Sequence, residues 1–467
     1  MDTILQLYRP EGHPAKYKAV AEAIRQAIAE QLLVAGSQLP PVRDLAWDLK
    51  ITPGTVARAY TTLTDEGILT AVVGRGTFVA LPEAQQPGVL DHRCEWPAQQ
   101  DDSAMVNLFS PTLPDVGQVA LIQDGLTRLS SRRSLDLLSY PTRDTFEPAR
   151  QAVMRWLAGT PLGPLDPDDI VLSHGGQNGV TLVMQAVLRG RRPVVVVEEL
   201  CYPGFRRAAE LMRAEVVTVP MDGQGIIPEA LEAVVSRHNA QLLCTSPEIQ
   251  NPTGIITPLS RRKQIAEIAQ RFGMQILEDD CYRIAQSHHL CYRALLPRHS
   301  WYVASISKAL TPALRVGFVV APHEKRADLR RVAEHGFFGL ALPLAHLTAD
   351  LLMREETYEI VARVNDTLAQ LVRRSVNILG GFDIAWREDV PFLWLNLPQG
   401  WRAGAFCQAA EAQGVQVRSA EDFTLRDARA PHAVRIAVNA QASVERFEAA
   451  IHCLRRLLDN PPEQIAV

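Results

Sequence analysis

The stretch Ser305-Ile306-Ser307-Lys308-Ala309-Leu310-Thr311-Pro312-Ala313-Leu314-Arg315-Val316-Gly317 is the part of the sequence that decides the fold. Two hydroxyl residues, Ser305 and Ser307, precede Lys308, and the apolar run after Arg315 predicts a buried strand. A lysine amine forms a Schiff base with an aldehyde that is anchored beside it. Two hydroxyls and a guanidinium suit a phosphate dianion, because Arg can donate two parallel hydrogen bonds to it. The stretch therefore indicates a site for a phosphorylated aldehyde, although in isolation it is equally compatible with a surface loop.

Two upstream stretches indicate that the aldehyde is pyridoxal phosphate. They are Asn251-Pro252-Thr253-Gly254 and Ile276–Tyr282, the latter an apolar strand that ends in acids and a tyrosine. This cofactor needs an acid facing its pyridinium nitrogen, so that the ring stays protonated and works as an electron sink. Asp279 fits that task, while Asn251 and Tyr282 can donate hydrogen bonds to the ring phenolate.

Length and composition predict a soluble globular protein of two or three domains. The chain has 467 residues, of which 47% are hydrophobic and 21% charged, and its formal net charge is −4. That charge gives no indication of a polyanionic partner for the chain as a whole.

The cysteines and the N-terminus predict a cytoplasmic protein. The seven cysteines are odd in number and form no CxxC pair, which favours reduced thiols over a disulfide framework or a zinc site. The N-terminus lacks the basic, apolar and small-residue pattern of a signal peptide, and the longest apolar runs are too short to span a bilayer. No metal site is expected.

The first eighty residues have the pattern of a winged helix-turn-helix. Thr52 is a suitable N-cap and Pro53 a suitable first helical residue. The periodicity and the glycine turn predict three helices and a β-hairpin: helices over His13–Val34, Val42–Leu49 and Pro53–Asp65, and strands over Ile68–Val73 and Thr77–Ala80 around Gly74-Arg75-Gly76.

This region resembles the GntR type of that domain. The matching pieces are Leu39–Ala46, Thr55–Tyr60, Leu63, Gly67 and Gly74–Val79. The resemblance implies that the third helix enters the major groove of DNA and that the wing lies along the backbone or minor groove. The DNA contacts that it implies are Arg43, Thr52, Thr55, Arg58 and Arg75.

Two features of the region complicate DNA binding. Pro53, which is followed by Gly54, stands where GntR relatives often carry an arginine, and this removes a base-reading side chain. Residues 1–80 also hold eight basic and eight acidic residues. A neutral domain binds DNA only if its basic residues share one face, and we expect it to need dimerisation. The alternative is a winged helix used for protein contacts.

Residues 81–104 are predicted to be a linker, because they contain scattered prolines and glutamines with no sustained period. Residues 105–467 form the second part, in which strands alternate with helical stretches. That alternation predicts an α/β fold with a mostly parallel sheet, whose binding residues fall at the strand ends. One glycine turn, His174–Asn178, feeds a helix N-terminus and can bind an anion through backbone N–H groups.

Asn251, Asp279, Lys308 and Arg315 occur in the order and at roughly the intervals of fold-type I aminotransferases, which this part of the chain resembles. The resemblance implies a C-terminal small domain over about 325–467 and a set of roles for individual residues. Gly176 and Gln177 would hold the cofactor phosphate, Tyr202 would stack on its ring, Arg435 would bind a substrate carboxylate, and Tyr140 would reach the cofactor of the partner subunit.

Two departures from the aminotransferase pattern affect these roles. The residues around Tyr140 match the family motif only in part, so a packing role for Tyr140 is equally compatible with the sequence. Val390-Pro391 replaces the glycine pair that usually precedes the strand at Phe392, which predicts a reshaped pocket wall and an unusual ligand.

The fusion of the two halves resembles the MocR/GabR-type transcription regulators over essentially the whole chain. The family implies a cytoplasmic homodimer that binds an operator in double-stranded DNA and holds pyridoxal phosphate on Lys308. An amino compound would displace Lys308 as an external aldimine and change the placement of the DNA-binding domains. Two alternatives stay open: an active aminotransferase with an accessory DNA-binding domain, and a plain repressor whose larger part only dimerises.

Overall fold

The computed structural model describes residues 2–9, 16–30, 32–34, 36–66, 68–72, 76–80, 105–131, 138–425 and 428–462. The chain divides into two compact units, Met1–Trp96 and Pro97–Val467. The division falls within the predicted linker 81–104, whose residues lie outside the described part of the chain. The domain limits 1–80 and 105–467 therefore stay a prediction.

Among its described residues, the first unit contains four helices and a β-hairpin. They are α1 Asp2–Leu7, α2 Lys16–Ala29, α3 Val42–Asp48, α4 Pro53–Asp65, β1 Leu69–Val72 and β2 Gly76–Val79. The two strands pair antiparallel, with Leu69 opposite Val79. Apolar residues from α2, α3 and α4 that recur at helical spacing, such as Ile24, Leu45 and Val56, form one buried core. Helix α1 had no counterpart among the predicted elements.

Two details of this unit correct the sequence prediction. Helix α2 ends at Ala29 instead of Val34, because the N–H groups of Leu32 and Leu33 both turn back to the carbonyl of Ala27. Thr52 is the N-cap of α4, but among the described residues its hydroxyl makes no capping bond to the backbone and instead lies 2.9 Å from the hydroxyl of Thr55.

The second unit contains twelve helices and fifteen strands among its described residues. The helices are α5 Gln118–Ser130, α6 Glu147–Trp156, α7 Gly175–Val187, α8 Pro203–Leu211, α9 Pro228–His238, α10 Leu259–Phe272, α11 Tyr292–Leu295, α12 Arg326–Phe337, α13 Leu342–Leu352, α14 Glu355–Leu379, α15 Ala403–Ala412 and α16 Val444–Asp459. The strands are β3 Val106–Asn107, β4 Ile170–Ser173, β5 Val194–Glu198, β6 Glu215–Val219, β7 Met221–Asp222, β8 Gly225–Ile226, β9 Leu242–Thr245, β10 Gln275–Asp279, β11 Ser300–Ser305, β12 Gly317–Val320, β13 Ile384–Ala385, β14 Phe392–Asn396, β15 Val415–Gln416, β16 Arg418–Ser419 and β17 Ala433–Ala437.

Seven strands form the central sheet, in the order β4-β12-β11-β10-β9-β5-β6. Most of these strands are buried on both faces, as the apolar β5 is, which is expected of a sheet covered by helices, whereas the edge strand β6 is only partly buried. The predicted mostly parallel α/β sheet is confirmed. Strand β12 alone among the seven runs antiparallel to its neighbours β11 and β4.

The reversal at β12 follows from the length of its connection to β11. A parallel return needs a crossover of a dozen or more residues, usually a helix, whereas an antiparallel return needs only a turn. The segment between Ser305 and Gly317 contains no helix, so the chain folds straight back. This places Lys308 and Arg315 together in one loop at the end of β11.

A second, antiparallel sheet has the order β13-β14-β17-β16. Its central strand β17 carries Arg435, which is opposite Trp394 of β14 on one side and opposite Arg418 of β16 on the other. This sheet belongs to the C-terminal region that the sequence predicted as the small domain.

In the described part of the chain, no helix combines the length and the apolar character that crossing a membrane requires.

Candidate functional site

The loop after β11 holds Lys308 beside a serine and a tyrosine. The Lys308 amine lies 3.4 Å from the hydroxyl of Ser110 and 5.3 Å from the centre of the Tyr282 ring. Tyr282 is itself buried and packs edge-on against Phe392, with ring centres 5.3 Å apart. The apolar walls limit the water around the amine, while the Ser110 hydroxyl accepts a hydrogen bond from it.

Two adjacent acids at the end of β10 have different surroundings. Asp280 is buried and accepts hydrogen bonds of 2.5 Å from both Arg283 and the Tyr302 hydroxyl. Burial raises the pKa of Asp280, which the Arg283 charge partly offsets. Asp279 is less buried, and its carboxylate accepts a hydrogen bond of 3.1 Å from the N–H of Cys281. Both hydrogen bonds of Asp280 are thus made to other side chains of the protein, and the assignment of Asp279 to the ring nitrogen stays a prediction.

Asn251 joins the larger sheet's loops to the smaller sheet. Its side-chain oxygen accepts a 2.6 Å hydrogen bond from Nη1 of Arg435, whose Nη2 donates to the Phe109 carbonyl at 2.8 Å. Arg435 is fully buried and is therefore not a surface arginine. Gln250 fixes the loop, because its side-chain oxygen accepts from both the N–H and the hydroxyl of Thr253.

The predicted glycine turn His174–Asn178 is instead the N-cap and first turn of α7, and its first glycine lies against the loop that carries Lys308. A Cβ on Gly175, which has a φ of +79°, would come within 2.6 Å of the Arg315 guanidinium. A Cβ on Gly176 would come within 2.3 Å of the Cys281 sulfur. These close approaches require glycine at both positions. The helix N-terminus, with its unpaired N–H groups, and Arg315 thus lie together, as a phosphate site needs.

Gln177 and Tyr202 meet at the start of α8. The Gln177 amide donates a 3.0 Å hydrogen bond to the Gly204 carbonyl. A Cβ on Gly204 would collide with both the Gln177 side chain and the Tyr202 ring, which packs edge-on against Phe205. The Gln177 side chain is therefore engaged within the protein, and a phosphate contact at this residue falls to its backbone N–H.

Tyr140 lies at the surface of the single chain. Its side chain is 82% exposed, and its ring centre is 5.8 Å from that of Phe338. Phe338 lines a surface depression of about 470 Å³, whose lining also includes His174 and the two chain neighbours of Tyr140, Ser139 and Pro141. The role of Tyr140 at the cofactor of a partner subunit stays a prediction.

Sequence reasoning missed three contributors to the site. Ser110 and Phe109 come from the segment after β3, and no local pattern connects that segment with Lys308. The third is Glu198 at the end of β5, which accepts hydrogen bonds from Thr245 at 2.6 Å and Gln250 at 3.1 Å. Burial raises the pKa of Glu198 to about 7. An acid after a run of four valines was the only available signal.

The first unit exposes most of the side chains predicted to contact DNA. Arg43, Thr52 and Arg58 are exposed and Thr55 is half-buried. Arg58 stacks over the Tyr17 ring, 4.3 Å from its centre, so part of its guanidinium surface is already in use. Arg75 lies outside the described residues.

The residues of the larger unit fit pyridoxal phosphate. Among the described residues, the Asn251 Nδ2 and the Ser307 hydroxyl are buried polar atoms with no hydrogen-bond partner. Buried polar groups are rarely left unsatisfied without a reason. An amide donor suits a phenolate oxygen and a hydroxyl suits a phosphate oxygen, so the cofactor would satisfy both. Ser305 adds a second hydroxyl, which accepts from the Ser307 N–H at 3.4 Å.

Comparison with known protein families agrees with this geometry. The family described as aminotransferase class I and II matches residues 112–454. The chain belongs to this family. A second family, the bacterial regulatory proteins of the gntR family, matches residues 16–79. The fusion of a GntR-type domain to an aminotransferase-class domain, predicted from the sequence, is confirmed.

Relatives of this aminotransferase-family chain include both regulators and an enzyme. The HTH-type transcriptional regulator YdeF of Bacillus subtilis is 27% identical over 454 residues, which cover 95% of this chain and 94% of YdeF. The pyridoxine biosynthesis regulator PdxR of Corynebacterium glutamicum is 26% identical over 68% of each chain. The 2-aminoadipate transaminase of Thermus thermophilus is 29% identical over 59% of this chain and 70% of its own length.

Solved structures show the same fold for the aminotransferase-class part. An archaeal alanine:glyoxylate aminotransferase superposes with a TM-score of 0.68 and 21% identity over 76% of this chain and 91% of its own. The α-aminoadipate aminotransferase LysN of Thermus thermophilus gives 0.67 with 23% identity over 76% and 92%. At these identities the comparison establishes the fold only.

Proposed function

We propose that this protein is a DNA-binding transcription regulator that holds pyridoxal phosphate on Lys308 and changes its affinity for an operator when an amino compound binds there. The observation that carries the proposal is the fusion, in one chain, of a GntR-type domain and an aminotransferase-class domain. Relatives named as transcriptional regulators, which match almost the whole chain, support it.

Each of the proposed cofactor-binding residues has a distinct task. Pyridoxal phosphate, when bound, supplies an aldehyde that condenses with a primary amine. Lys308 provides the resident amine, and Asp279 holds a proton on the ring nitrogen. Asn251 and Tyr282 orient the ring through its phenolate, and Tyr202 covers one face of the ring.

The phosphate group has its own set of residues. Arg315, the backbone at Gly176 and Gln177, and the hydroxyls of Ser305 and Ser307 anchor it. Gly175 allows the Arg315 guanidinium to approach the helix N-terminus. The anchor keeps the aldehyde end at Lys308, which a lysine amine needs in order to react with it.

Arg435 supplies the link between a ligand and the protein's conformation. A ligand can shift a conformational equilibrium only through contacts that differ between the two states. The Arg435 guanidinium is held by Asn251 from the larger sheet's loops and by Phe109 from the segment after β3. A ligand carboxylate that binds Arg435 competes for these donors, and so acts on the contact between the smaller sheet and the Asn251 loop.

The DNA-binding face that we assign contains Arg43, Thr52, Thr55 and Arg58, with Arg75 in the wing. Basic and acidic residues balance within residues 1–80, so we expect one copy to bind DNA weakly. Two linked copies that occupy two half-sites gain affinity through their effective concentration. A homodimer is therefore part of the proposal.

The exposed aromatic pair Tyr140 and Phe338, beside the depression at His174, provides apolar surface that a second copy of the chain would cover. Tyr140 of the partner subunit would then lie near the cofactor phosphate. Because the proposed partner is DNA, we place the protein in the cytoplasm.

The competing function is an active aminotransferase with an accessory DNA-binding domain. The completeness of the set around Lys308, Asp279 and Arg435 favours it, as does the likeness to a transaminase. Purified protein loaded with cofactor, incubated with pairs of amino and keto acids, distinguishes the two functions. A lasting absorbance change without accumulating product supports a regulator. Multiple turnovers with no effect of the amino acid on operator binding would support the enzyme.

A further inference from the structure

We propose that the amino compound carries two acidic groups, one held by Arg435 and the second by Arg418. This proposal rests on the proposed function and specifies its ligand. Arg418 is only 2% exposed, and Arg435 is fully buried. Buried cations need anionic or aromatic neighbours. Two buried arginines in one region therefore indicate a site that can bind the negative charges of a ligand.

The two arginines are neighbours by strand register. Arg418 in β16 is directly opposite Arg435 in β17, and opposite residues of an antiparallel pair project from the same face of the sheet. Both guanidinium groups lie over one ring, that of Phe423, at 4.8 Å for Arg418 and 5.0 Å for Arg435. The two charges therefore cannot be farther apart than the sum of those distances, which a short dicarboxylate spans.

The same two arginines share a neighbour beside Lys308. The Phe109 carbonyl accepts from Arg435, and the Phe109 ring lies 4.6 Å from the Arg418 guanidinium carbon. The next residue, Ser110, contacts the Lys308 amine. The amine-binding position and the two cations thus adjoin one short segment of chain.

Asp422 would compete with the second carboxylate of the ligand for Arg418. Its carboxylate lies 3.2 Å from Nε of Arg418, while the Asp422 side chain is 34% exposed. A carboxylate that remains in contact with water gives up less on separation from its partner than a buried one does. The second carboxylate of the ligand would either share Arg418 with Asp422 or displace Asp422 from it. The planar guanidinium of Arg418 can donate two parallel hydrogen bonds to that carboxylate.

The test compares amines that carry one and two carboxylates on the full-length, cofactor-loaded protein. L-alanine and L-2-aminobutyrate are titrated against L-aspartate, L-glutamate and L-2-aminoadipate, with cofactor absorbance as the readout. Calorimetry with succinate and with propionate, which lack an amine, measures carboxylate binding without cofactor chemistry. We expect at least one amino dicarboxylate to bind about tenfold or more tightly than either monocarboxylate, and succinate to bind more tightly than propionate.

Two variants with opposite expected effects make the assignment specific. Arg418→Gln should weaken the preferred dicarboxylate about tenfold or more while changing L-alanine binding by no more than about twofold. Asp422→Asn, at a partly exposed position, should strengthen the dicarboxylate and leave L-alanine unchanged. Equal weakening of both ligand classes in Arg418→Gln, or no effect of Asp422→Asn, would reduce Arg418 to a brace for the site and overturn the proposal.

The experiments distinguish an error in the proposed two-carboxylate ligand from an error in the proposed regulatory function. If monocarboxylic amines change the absorbance and operator binding but dicarboxylates bind no better, the regulator stands and the two-arginine site is rejected. If succinate binds through Arg418 yet no amine alters operator binding, the site stands and the regulatory function is rejected.

Discussion

Arg435 donates a 2.6 Å hydrogen bond to the side-chain oxygen of Asn251, which lies 184 residues earlier in the chain. The bond connects a strand of the smaller sheet with the loop that follows β9 of the larger one. One residue is expected to hold a ligand carboxylate and the other the cofactor ring. The contact therefore gives the ligand a direct route to the loop around the cofactor.

Replacing Arg435 should separate carboxylate recognition from amine recognition. Arg435→Gln removes the guanidinium fork, and a hydrogen bond to a charged group contributes about 2 kcal/mol, or roughly 30-fold in affinity. We expect L-alanine to bind about that much more weakly, while ethylamine, which has no carboxylate, changes by no more than about twofold. Absorbance titration of the cofactor measures both. Equal losses for the two amines would contradict the assignment.

Asp279 and Asp280 should respond differently to the same change. Asp280→Asn disrupts a buried network with Arg283 and Tyr302, so it should lower the free energy of unfolding by about 3 kcal/mol. Asp279→Asn should change that free energy by less than about 1 kcal/mol and weaken cofactor binding at least about tenfold. Urea unfolding without cofactor and cofactor titration measure the two effects. The reverse order would show that Asp280 is the cofactor's acid.

The sequence predicted which residues lie together at the ends of the central strands. Lys308, Asp279 and Asn251 follow buried strands, and parallel strands bring their ends to one edge of a sheet. The adjacency of Arg315 to Gly175 follows from the reversal at β12, which depends on the length of a single connection.

Contacts between residues that are far apart in the chain could not be predicted from the sequence. The contact of Ser110 with Lys308 spans 198 residues, and that of Arg418 with Phe109 depends on how the smaller sheet packs. The N-cap position at Thr52 was predicted correctly, but the sequence did not show that its hydroxyl lies 2.9 Å from the Thr55 hydroxyl and makes no capping bond to the backbone. Side-chain choices of this kind depend on tertiary packing and not on residue type alone.

Glu198 should make stability depend on pH around neutrality. Burial raises its pKa from 4.5 to about 7 in the folded protein, so the folded state holds a proton that the unfolded state releases at lower pH. The stability that this proton contributes is complete below the unfolded value and is lost as pH rises through about 7. Thr245 and Gln250 face the carboxyl group as hydrogen-bond partners, and the Asp279 charge adds to the shift.

The amide side chain of the Glu198→Gln variant cannot ionise, so the variant should not lose this stability as the pH rises. Relative to the unmodified protein, the variant should gain stability between pH 5 and pH 8, by up to about 3 kcal/mol, because each pKa unit corresponds to about 1.4 kcal/mol. Glu278 also has a pKa raised to about 7, but it is present in both proteins and cancels in the comparison. Urea unfolding at the two pH values measures the difference. A difference that is independent of pH would show that Glu198 stays in one ionisation state.

Arg43 should contribute to DNA binding more than a basic residue that is already paired. Arg43→Ala should lower operator affinity by about 1–3 kcal/mol if it contacts a base, or reduce the salt slope by about one if it contacts a phosphate. Arg25→Ala is the charge-matched control, because Arg25 is hydrogen-bonded to Glu22 and Glu66. Titrations of operator DNA at two salt concentrations compare them. Equal effects of the two changes would place the DNA surface elsewhere.

The most direct test of the account is operator binding by cofactor-loaded protein with and without the amino compound, repeated for Lys308→Ala. Coupling between two sites is typically 5- to 150-fold in affinity, so we expect at least about a fivefold change in the unmodified protein. Lys308→Ala should bind the same operator with an affinity that the amino compound does not alter. An equal response in both proteins, or an operator affinity of the unmodified protein that no amino compound changes, would contradict the claim that Lys308 couples ligand to DNA.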